Sequence, residues 1–220
     1  MLKRVLLCDF DGTIVTIDTC EFLLDKFVKE DWRAFNAFLE RGEITLEECT
    51  RAQLSMLNIS EEEALKALER VTSFRPHFME LVDHCAVQGI RFIIVSGGLD
   101  FIIKYFLKLR GLEKQVRVYS ASSKSTRDGI ELSFPELVDC TSLDFKEDLV
   151  KQYNKQGFRT IYIGDGLSDL NAFKQADFLF AIKESKLAKL CKKENVPYCE
   201  ITNFQEVIKS LIDASSLPSR

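Results

Sequence analysis

Short runs of consecutive apolar residues alternate with longer stretches whose apolar residues recur at helical spacing. Each of the first three runs leads into a loop that contains Asp, Ser or Gly, and a helical pattern follows. This alternation predicts an α/β fold with a doubly wound, Rossmann-like parallel sheet. Four runs have the length and composition of strands buried on both faces: Arg4–Cys8, Ile90–Val95, Thr160–Ile163 and Phe178–Ile182.

The segment between Ile14 and about Phe74 has no strand-like run and contains helical patterns instead. Thr45 and Ser60 are predicted helix N-caps. We predict that residues 15–74 form a small helical-bundle cap inserted into an α/β core made of residues 1–14 and 75–220. Five aromatic side chains are expected on the inward faces of the predicted helices Glu21–Val28, Trp32–Arg41, Leu46–Leu57 and Glu61–Val71: Phe22, Phe27, Trp32, Phe35 and Phe38.

A β-hairpin is predicted within Ser120–Asp139. Arg127-Asp128-Gly129-Ile130 is typical of a tight hairpin turn, and its flanks have strand-like composition. The hairpin is expected to belong to the α/β core.

Composition and charge exclude several classes of function. The chain has 220 residues and a formal charge of -4, and its basic clusters are short, so nucleic-acid binding is not expected. The first apolar run is too short for a signal core or a membrane span. Seven cysteines without a CxxC pair predict reduced thiols in a cytoplasmic protein, and two histidines without paired thiolates argue against zinc.

Asp9 and Asp11 follow the first predicted strand. Residues two apart on a strand point to the same face, so both carboxylates are expected to reach one site. Two neighbouring carboxylates repel each other, and a divalent cation relieves that repulsion. Mg²⁺ is the cation that oxygen ligands and phosphate chemistry favour. Taken alone, the pair also fits a turn followed by a helix cap.

Two further loops follow predicted strands. Ser96-Gly97-Gly98 combines a hydroxyl with backbone N–H groups before a helix, an arrangement that can hold phosphate, although an ordinary turn has the same sequence. Asp165 and Asp169 supply two more carboxylates on a loop that opens a helix. Because the carboxyl ends of parallel strands share one rim, the loops at Asp9, Ser96 and Asp165 are expected to converge.

Lys146 lies at the start of the helical stretch Phe145–Tyr153 and could neutralise a carboxylate and a phosphate oxygen. A lysine by itself is weak evidence. Lys124, Lys151 and Lys155 are alternatives for this position.

These four elements, in this order, resemble the haloacid-dehalogenase superfamily of phosphohydrolases. The resemblance spans nearly the whole chain, and its arrangement is most similar to the phosphoserine phosphatase branch. The hairpin, Phe134-Pro135, Cys140 and the Ala176–Ala181 run resemble the methionine-salvage ketopentenyl-phosphate phosphatases.

The resemblance implies a role for each residue. Asp9 would attack phosphorus, and Asp11 would be the acid–base. Mg²⁺ would be held by Asp9, the Asp11 backbone carbonyl, Asp165 and Asp169. Phosphoryl oxygens would contact Ser96, Gly97 and Lys146.

Substrate recognition is expected from the cap. The position of Asp18 matches an acid that contacts the substrate amine in phosphoserine phosphatases, although a helix N-cap is an equal alternative. The position of their carboxylate-binding arginine falls on Gln53, and Arg51 two residues earlier faces another side of the helix. The predicted partner is therefore a small phosphorylated metabolite, either phosphoserine-like or a ketose phosphate. A phosphomutase and a non-catalytic regulatory protein are the alternative functions, and the oligomeric state is open.

Overall fold

The computed structural model describes residues 3–127 and 129–213. Its sheet has six strands in the order β3-β2-β1-β6-β7-β8, and every neighbouring pair is parallel. A separate antiparallel pair, β4 and β5, forms the predicted hairpin, although Asp128 of its turn lies outside the described residues. The strands are β1 Arg4–Cys8, β2 Arg91–Ser96, β3 Arg117–Ser120, β4 Ser122–Thr126, β5 Gly129–Ser133, β6 Arg159–Gly164, β7 Phe178–Ile182 and β8 Cys199–Ile201.

Helices cover both faces of the sheet, as the doubly wound prediction requires. Leu6 and Cys8 of β1 face one buried apolar cluster, and Val5 and Leu7 face the other, because strand side chains alternate. Helices α5, α6 and α10 cover the first face, and α7, α8 and α9 cover the second. Their bounds are α5 Phe78–Val87, α6 Asp100–Leu109, α7 Phe145–Lys155, α8 Leu170–Gln175, α9 Lys186–Glu194 and α10 Phe204–Ile212.

Four helices lie between β1 and α5: α1 Thr19–Phe27, α2 Ala34–Glu40, α3 Leu46–Leu54 and α4 Glu61–Leu68. Thr45 and Ser60 cap α3 and α4, each within a reciprocal capping box, as their sequences predict. The division into a cap of residues 15–74 and a core of residues 1–14 and 75–220 stays a prediction. Residues 1–2 and 214–220 of that core lie outside the described chain.

The prediction that all five cap aromatics face inward is wrong for Phe38, which is 42% exposed. Trp32 is buried as expected, and its indole N–H donates to Asp25 at 3.0 Å. Helix α2 is short, and none of its residues is fully buried. Phe38 packs instead beside Phe35 and under the guanidinium of Arg41, 4.9 Å from the ring centroid.

Two edge strands, β3 and β8, were not expected from the sequence. Each is short and pairs with one neighbour in the main sheet. Strands of four and three residues are too short for a strand pattern to stand out in the sequence. Within the described ranges, no helix is long and apolar enough to cross a membrane.

Candidate active site

The loops that follow β1, β2 and β6 meet at one edge of the sheet. Cys8, the last residue of β1, is in register with Ile94 of β2 and Ile163 of β6. The backbone N–H of Asp9 continues this pairing by donating to the carbonyl of Ile163 at 2.9 Å. The three predicted loops therefore converge because the central strands end side by side.

A cluster of three carboxylates lies at this edge. One oxygen from each of Asp9, Asp165 and Asp169 lies within 4.8 Å of the others. Thr13 Oγ1 donates to Asp165 Oδ1 at 2.9 Å and so fixes that side chain. Gly12 has a φ of 70°, and a Cβ at this position would lie 2.3 Å from Asp165 Oδ2. The absent side chain at Gly12 lets the chain turn directly against Asp165.

The donor set of this cluster fits a divalent cation. Carboxylate oxygens are the ligands that Mg²⁺ prefers, and three of them close together carry a charge excess that a cation relieves. Burial, followed by the charge of Asp169, raises the pKa of Asp165 to about 7. Burial and Asp169 also raise the pKa of Asp9, which Lys146 opposes. Asp9, Asp165 and Asp169 are therefore the side chains that could hold Mg²⁺.

Lys146 is buried in contact with two of these acids. Its Nζ lies 2.8 Å from Asp9 Oδ1, 2.7 Å from Asp169 Oδ1 and 3.1 Å from Ser168 Oγ. Burial alone would lower the pKa of Lys146, but Asp169 and Asp9 outweigh it and raise the pKa, so the ammonium stays charged. The three alternative lysines are elsewhere: Lys151 pairs with Glu147, Lys155 pairs with Asp139, and Lys124 is exposed on β4.

Asp169 is held by an extensive hydrogen-bond network. Its Oδ2 accepts from the backbone N–H groups of Asp165 and Gly166, each at 3.0 Å. Its Oδ1 accepts from Lys146 and from the hydroxyl of Tyr162 at 2.9 Å. Its side chain is completely buried, so this carboxylate is fixed in place and orients Lys146.

Asp11 has different surroundings from Asp9. Its Oδ1 accepts from the backbone N–H and the hydroxyl of Thr19, at 2.9 and 2.6 Å. Its Oδ2 lies against Gly98, where an added Cβ would be 2.5 Å from that oxygen and 3.3 Å from Ser96 Oγ. Burial, followed by the charge of Asp18, raises the pKa of Asp11 to about 7. A carboxyl with that pKa can both donate and accept a proton near neutral pH.

The Ser96 loop joins β2 to α6 beside these acids. Ser96 is buried, and its Oγ accepts from the backbone N–H of Gly98 at 3.1 Å. Gly97 lines a cavity together with Lys146 and Ser168. The Ser96 loop and the Lys146 side chain thus meet through Gly97, and the role of Ser96, Gly97 and Lys146 in phosphate binding stays a prediction.

Comparison with known proteins shows which family the chain belongs to. The sequence profile of the haloacid dehalogenase-like hydrolases matches residues 6–174, which include every residue named in the site. The chain belongs to this family.

Relatives of this hydrolase cover nearly its whole length. It is 29% identical over 214 residues to a 2-hydroxy-3-keto-5-methylthiopentenyl-1-phosphate phosphatase of Brevibacillus brevis, covering 95% of each chain. It is 28% identical over 228 residues to a polyol phosphate phosphatase of Saccharomyces cerevisiae, covering 96% of this chain and 93% of the other. A solved phosphoserine phosphatase, captured as an analogue of the phospho-aspartyl intermediate, has the same fold with a TM-score of 0.71 at 20% identity, covering 95% and 99%.

Three cap residues that the sequence analysis considers for substrate recognition form hydrogen bonds within this hydrolase. Asp18 caps α1, since its Oδ1 accepts from the backbone N–H of Glu21 at 2.8 Å. Gln53 Nε2 donates to Asn36 Oδ1 at 2.9 Å, within the cap helices. Arg51 Nε donates to the carbonyl of Leu132 in the hairpin at 3.3 Å.

Sequence reasoning missed several residues that hold the site together. Thr19 fixes Asp11, and Tyr162 fixes Asp169. Arg75 donates to the carbonyls of Thr13 and Gly12, at 2.7 and 2.6 Å, and so holds the loop after β1. The hydroxyl of Tyr162 stands between two isoleucines in a buried run, which was a usable signal. Thr19 and Arg75 gave no such signal in the sequence, because only the fold brings them to the groups that they bind.

Proposed function

We propose that this hydrolase is a magnesium-dependent phosphatase that cleaves a small phosphomonoester through an aspartyl-phosphate on Asp9. The observation that carries the proposal is the separation of two carboxylates from one loop. Asp9 lies among Lys146 and the acids of the cluster, whereas Asp11 is held apart by Thr19 with a pKa raised to about 7. This difference in surroundings supports the assignment of Asp9 as nucleophile and of Asp11 as acid–base.

The proposed reaction has two steps. The Asp9 carboxylate attacks phosphorus, the ester P–O bond breaks, and protonated Asp11 gives its proton to the leaving oxygen. Ionised Asp11 then takes a proton from water as the water oxygen attacks phosphorus. The aspartyl–phosphate bond breaks, which releases inorganic phosphate and regenerates Asp9.

Positioning of the phosphoryl group is assigned to the surrounding residues. The hydroxyl of Ser96, the backbone N–H of Gly97 and the ammonium of Lys146 would bind its oxygens. Asp9, the Asp11 backbone carbonyl and Asp165 would hold Mg²⁺, with Asp169 in support. When bound, the cation supplies positive charge that lets an anionic carboxylate approach an anionic phosphate.

The substrate is proposed to be a small phosphorylated metabolite. The relatives are named for ketopentenyl, polyol and seryl phosphates, which share a compact leaving group. Residues 15–74 are proposed to act as the cap that covers this leaving group.

Replacing the proposed nucleophile tests the reaction. Asp9→Asn should reduce turnover of p-nitrophenyl phosphate with Mg²⁺ by at least about 1,000-fold, because an amide cannot form the phosphoenzyme. Circular dichroism should show an unchanged fold. The matched control is Asp83→Asn, which removes an exposed carboxylate on α5 and should keep wild-type turnover. Near-normal turnover by Asp9→Asn would show that the nucleophile is assigned to the wrong residue.

A further inference from the structure

Arg75 lies where the chain returns to the sheet after helix α4, beside the loop that follows β1. Its backbone N–H donates to the carbonyl of Ile14 at 2.8 Å. The carbonyl of the next residue, Pro76, accepts from the backbone N–H of Phe204, the first residue of α10, at 3.1 Å. The backbone around Arg75 is therefore fixed on both sides, so its side chain starts from a firm support.

The guanidinium of Arg75 donates to three backbone carbonyls. The distances are 2.6 Å from Nη2 to the oxygen of Gly12, 2.7 Å from Nε to that of Thr13 and 3.2 Å from Nη1 to that of Thr202. Arginine suits this arrangement because its N–H groups point outward from one rigid plane, whereas all donors of a lysine belong to one nitrogen. Since Thr202 directly follows β8, the side chain fastens the loop after β1 to an edge of the sheet.

Two of the residues that Arg75 holds also position Asp165. Thr13 accepts from Arg75 with its carbonyl and donates from its hydroxyl to Asp165 Oδ1 at 2.9 Å. Gly12 lies against the other carboxylate oxygen, since a Cβ added to it would be 2.3 Å from Asp165 Oδ2. Both oxygens of a proposed Mg²⁺ ligand are thus located by residues whose carbonyls bind one guanidinium.

Arg75 has two opposite effects on a cation bound by Asp165. Burial lowers the pKa of the guanidinium, and the charge of Asp165 opposes this effect, because the two groups interact. A positive charge in this position repels Mg²⁺, although solvent screens it because the side chain is only half-buried. Groups that orient a metal ligand, in contrast, change metal affinity about 10- to 100-fold. We therefore expect alignment of the ligand to outweigh repulsion of the cation.

We propose that Arg75 is a positioning residue for the proposed Mg²⁺ site: it holds the loop after β1 so that the hydroxyl of Thr13 aligns Asp165 to bind the cation. The inference rests on the proposed magnesium-dependent function and adds a residue from outside the four loops that carry its chemistry. Arg75 acts through Thr13 and Asp165, without contact with the cation or the phosphoryl group. The segment through which the chain leaves helices α1–α4 is thereby linked to metal binding.

Calorimetric titration of the chain with Mg²⁺, without substrate, tests the proposal. Arg75→Met removes both the charge and the hydrogen bonds and should raise the Kd for Mg²⁺ at least about tenfold. Arg75→Lys keeps the charge but loses the planar donor group, so it should also raise the Kd, by a smaller factor. Arg110→Met is the matched control. It removes a guanidinium that lies 5.0 Å from the ring centroid of Phe74, the residue before Arg75, and should keep the wild-type Kd.

A double-mutant cycle tests whether Arg75 acts through Thr13. Thr13→Val removes the hydroxyl that donates to Asp165 and should itself weaken Mg²⁺ binding at least about tenfold. Because both side chains serve the same alignment, the double variant with Arg75→Met should lose less affinity than the product of the two single losses. The Mg²⁺ concentration for half-maximal hydrolysis of p-nitrophenyl phosphate should rise in parallel with the Kd, whereas kcat at saturating Mg²⁺ should fall by a smaller factor.

Three results would overturn the role of Arg75. The first is a wild-type Kd in both Arg75 variants with only the free energy of urea unfolding lowered, which would make the residue purely structural. The second is tighter binding by Arg75→Met with wild-type binding by Arg75→Lys, which would mean that charge alone matters. The third is single losses that multiply in the double variant. If circular dichroism shows that Arg75→Met does not fold, the Kd of Arg75→Lys decides.

Failure of the proposed function gives different results. If p-nitrophenyl phosphate is not hydrolysed, the phosphatase proposal fails, and the Mg²⁺ titrations of the same variants still decide the role of Arg75. If the wild-type chain binds no Mg²⁺, the role of Arg75 is overturned, and hydrolysis in metal-free buffer would then leave a phosphatase without a magnesium site.

Discussion

Asp9 and Asp11 show how little sequence spacing says about a side chain's surroundings. In a regular strand the two would point to the same face, but β1 ends at Cys8 and the chain turns at Gly12. Asp9 consequently contacts Lys146, and Asp11 is fixed by Thr19. The difference in chemical role that we propose for two identical side chains follows from this turn.

Gly98 is expected to be required for the position of Asp11. Gly98→Ala would place a Cβ 2.5 Å from Asp11 Oδ2 and should lower kcat/KM at least about 100-fold, since small displacements of a reacting group have effects of this size. Gly97→Ala is the comparison, because its Cβ would meet only the Phe134 ring at 3.9 Å, so its loss should be smaller. Neither glycine has a positive φ. Equal losses measured for the two variants would argue against a steric role for Gly98.

Asp148 is predicted to stabilise the segment before α7 in a pH-dependent way. Burial alone would raise the pKa of its carboxyl, but hydrogen bonds from the backbone N–H groups of Val138 and Asp139 outweigh it and hold the pKa below the ordinary value. A lowered folded-state pKa contributes stability above the unfolded value of about 3.9, which is lost as pH falls through the folded pKa. Asp148→Asn leaves buried donors without full partners and should cost about 1 to 3 kcal/mol in urea unfolding at pH 7.

Urea unfolding of the same variant at lower pH tests whether the charge of the Asp148 carboxylate causes this stabilisation. The deficit of Asp148→Asn relative to wild type should shrink as pH falls below about 4, because the carboxyl of the unfolded wild-type chain is then protonated before that of the folded chain. A deficit that stays constant down to pH 2 would mean that the carboxylate charge is not the cause.

At the scale of elements, the cap helices are joined to the sheet through two adjacent chain segments. Val15 forms an antiparallel bridge with Phe74, and the N–H of Thr16 donates to the carbonyl of Ser73 at 2.9 Å. A second attachment is the contact of α3 with the hairpin. There the carbonyl of Ser55 approaches Gly129, where an added Cβ would lie 1.9 Å from it. The hairpin thus fixes the position of α3.

Gly129→Ala should displace α3 from the hairpin and raise KM for p-nitrophenyl phosphate, because the cap side of the site would move. Gly111→Ala is the matched control. Gly111 also has a positive φ, of 66°, but an added Cβ there meets nothing within 4 Å. The control should lose about 1 kcal/mol of unfolding free energy and keep its KM. A KM that is unchanged in Gly129→Ala would mean that the hairpin contact does not position the cap.

For the whole molecule, the sheet determines where charge accumulates. Three carboxylates converge at the carboxyl ends of the central strands, and one buried ammonium balances part of their charge. This arrangement favours a bound cation and makes the folded state sensitive to its presence.

Mg²⁺ is therefore expected to stabilise the fold as well as to support activity. At about 100 times its dissociation constant it should add about 2.7 kcal/mol, which corresponds to a rise in Tm of about 5 to 11 °C for a chain of this length. EDTA should remove both the stabilisation and the activity, and Mg²⁺ should restore them. The rise should disappear in Asp165→Asn. An equal rise with NaCl at matched ionic strength, or in the variant, would contradict a specific site.

The sequence by itself determined the α/β class, the four central strands, the helical insertion and the four loops that carry the candidate chemistry. These follow from local patterns, since apolar runs define buried strands and parallel strands end at a common rim. Only the tertiary structure decided the edge strands β3 and β8, the surroundings that separate Asp9 from Asp11, and the engagement of Arg51 with the hairpin. Each of these depends on a partner distant in sequence or on how the chain turns, and no local pattern records such contacts.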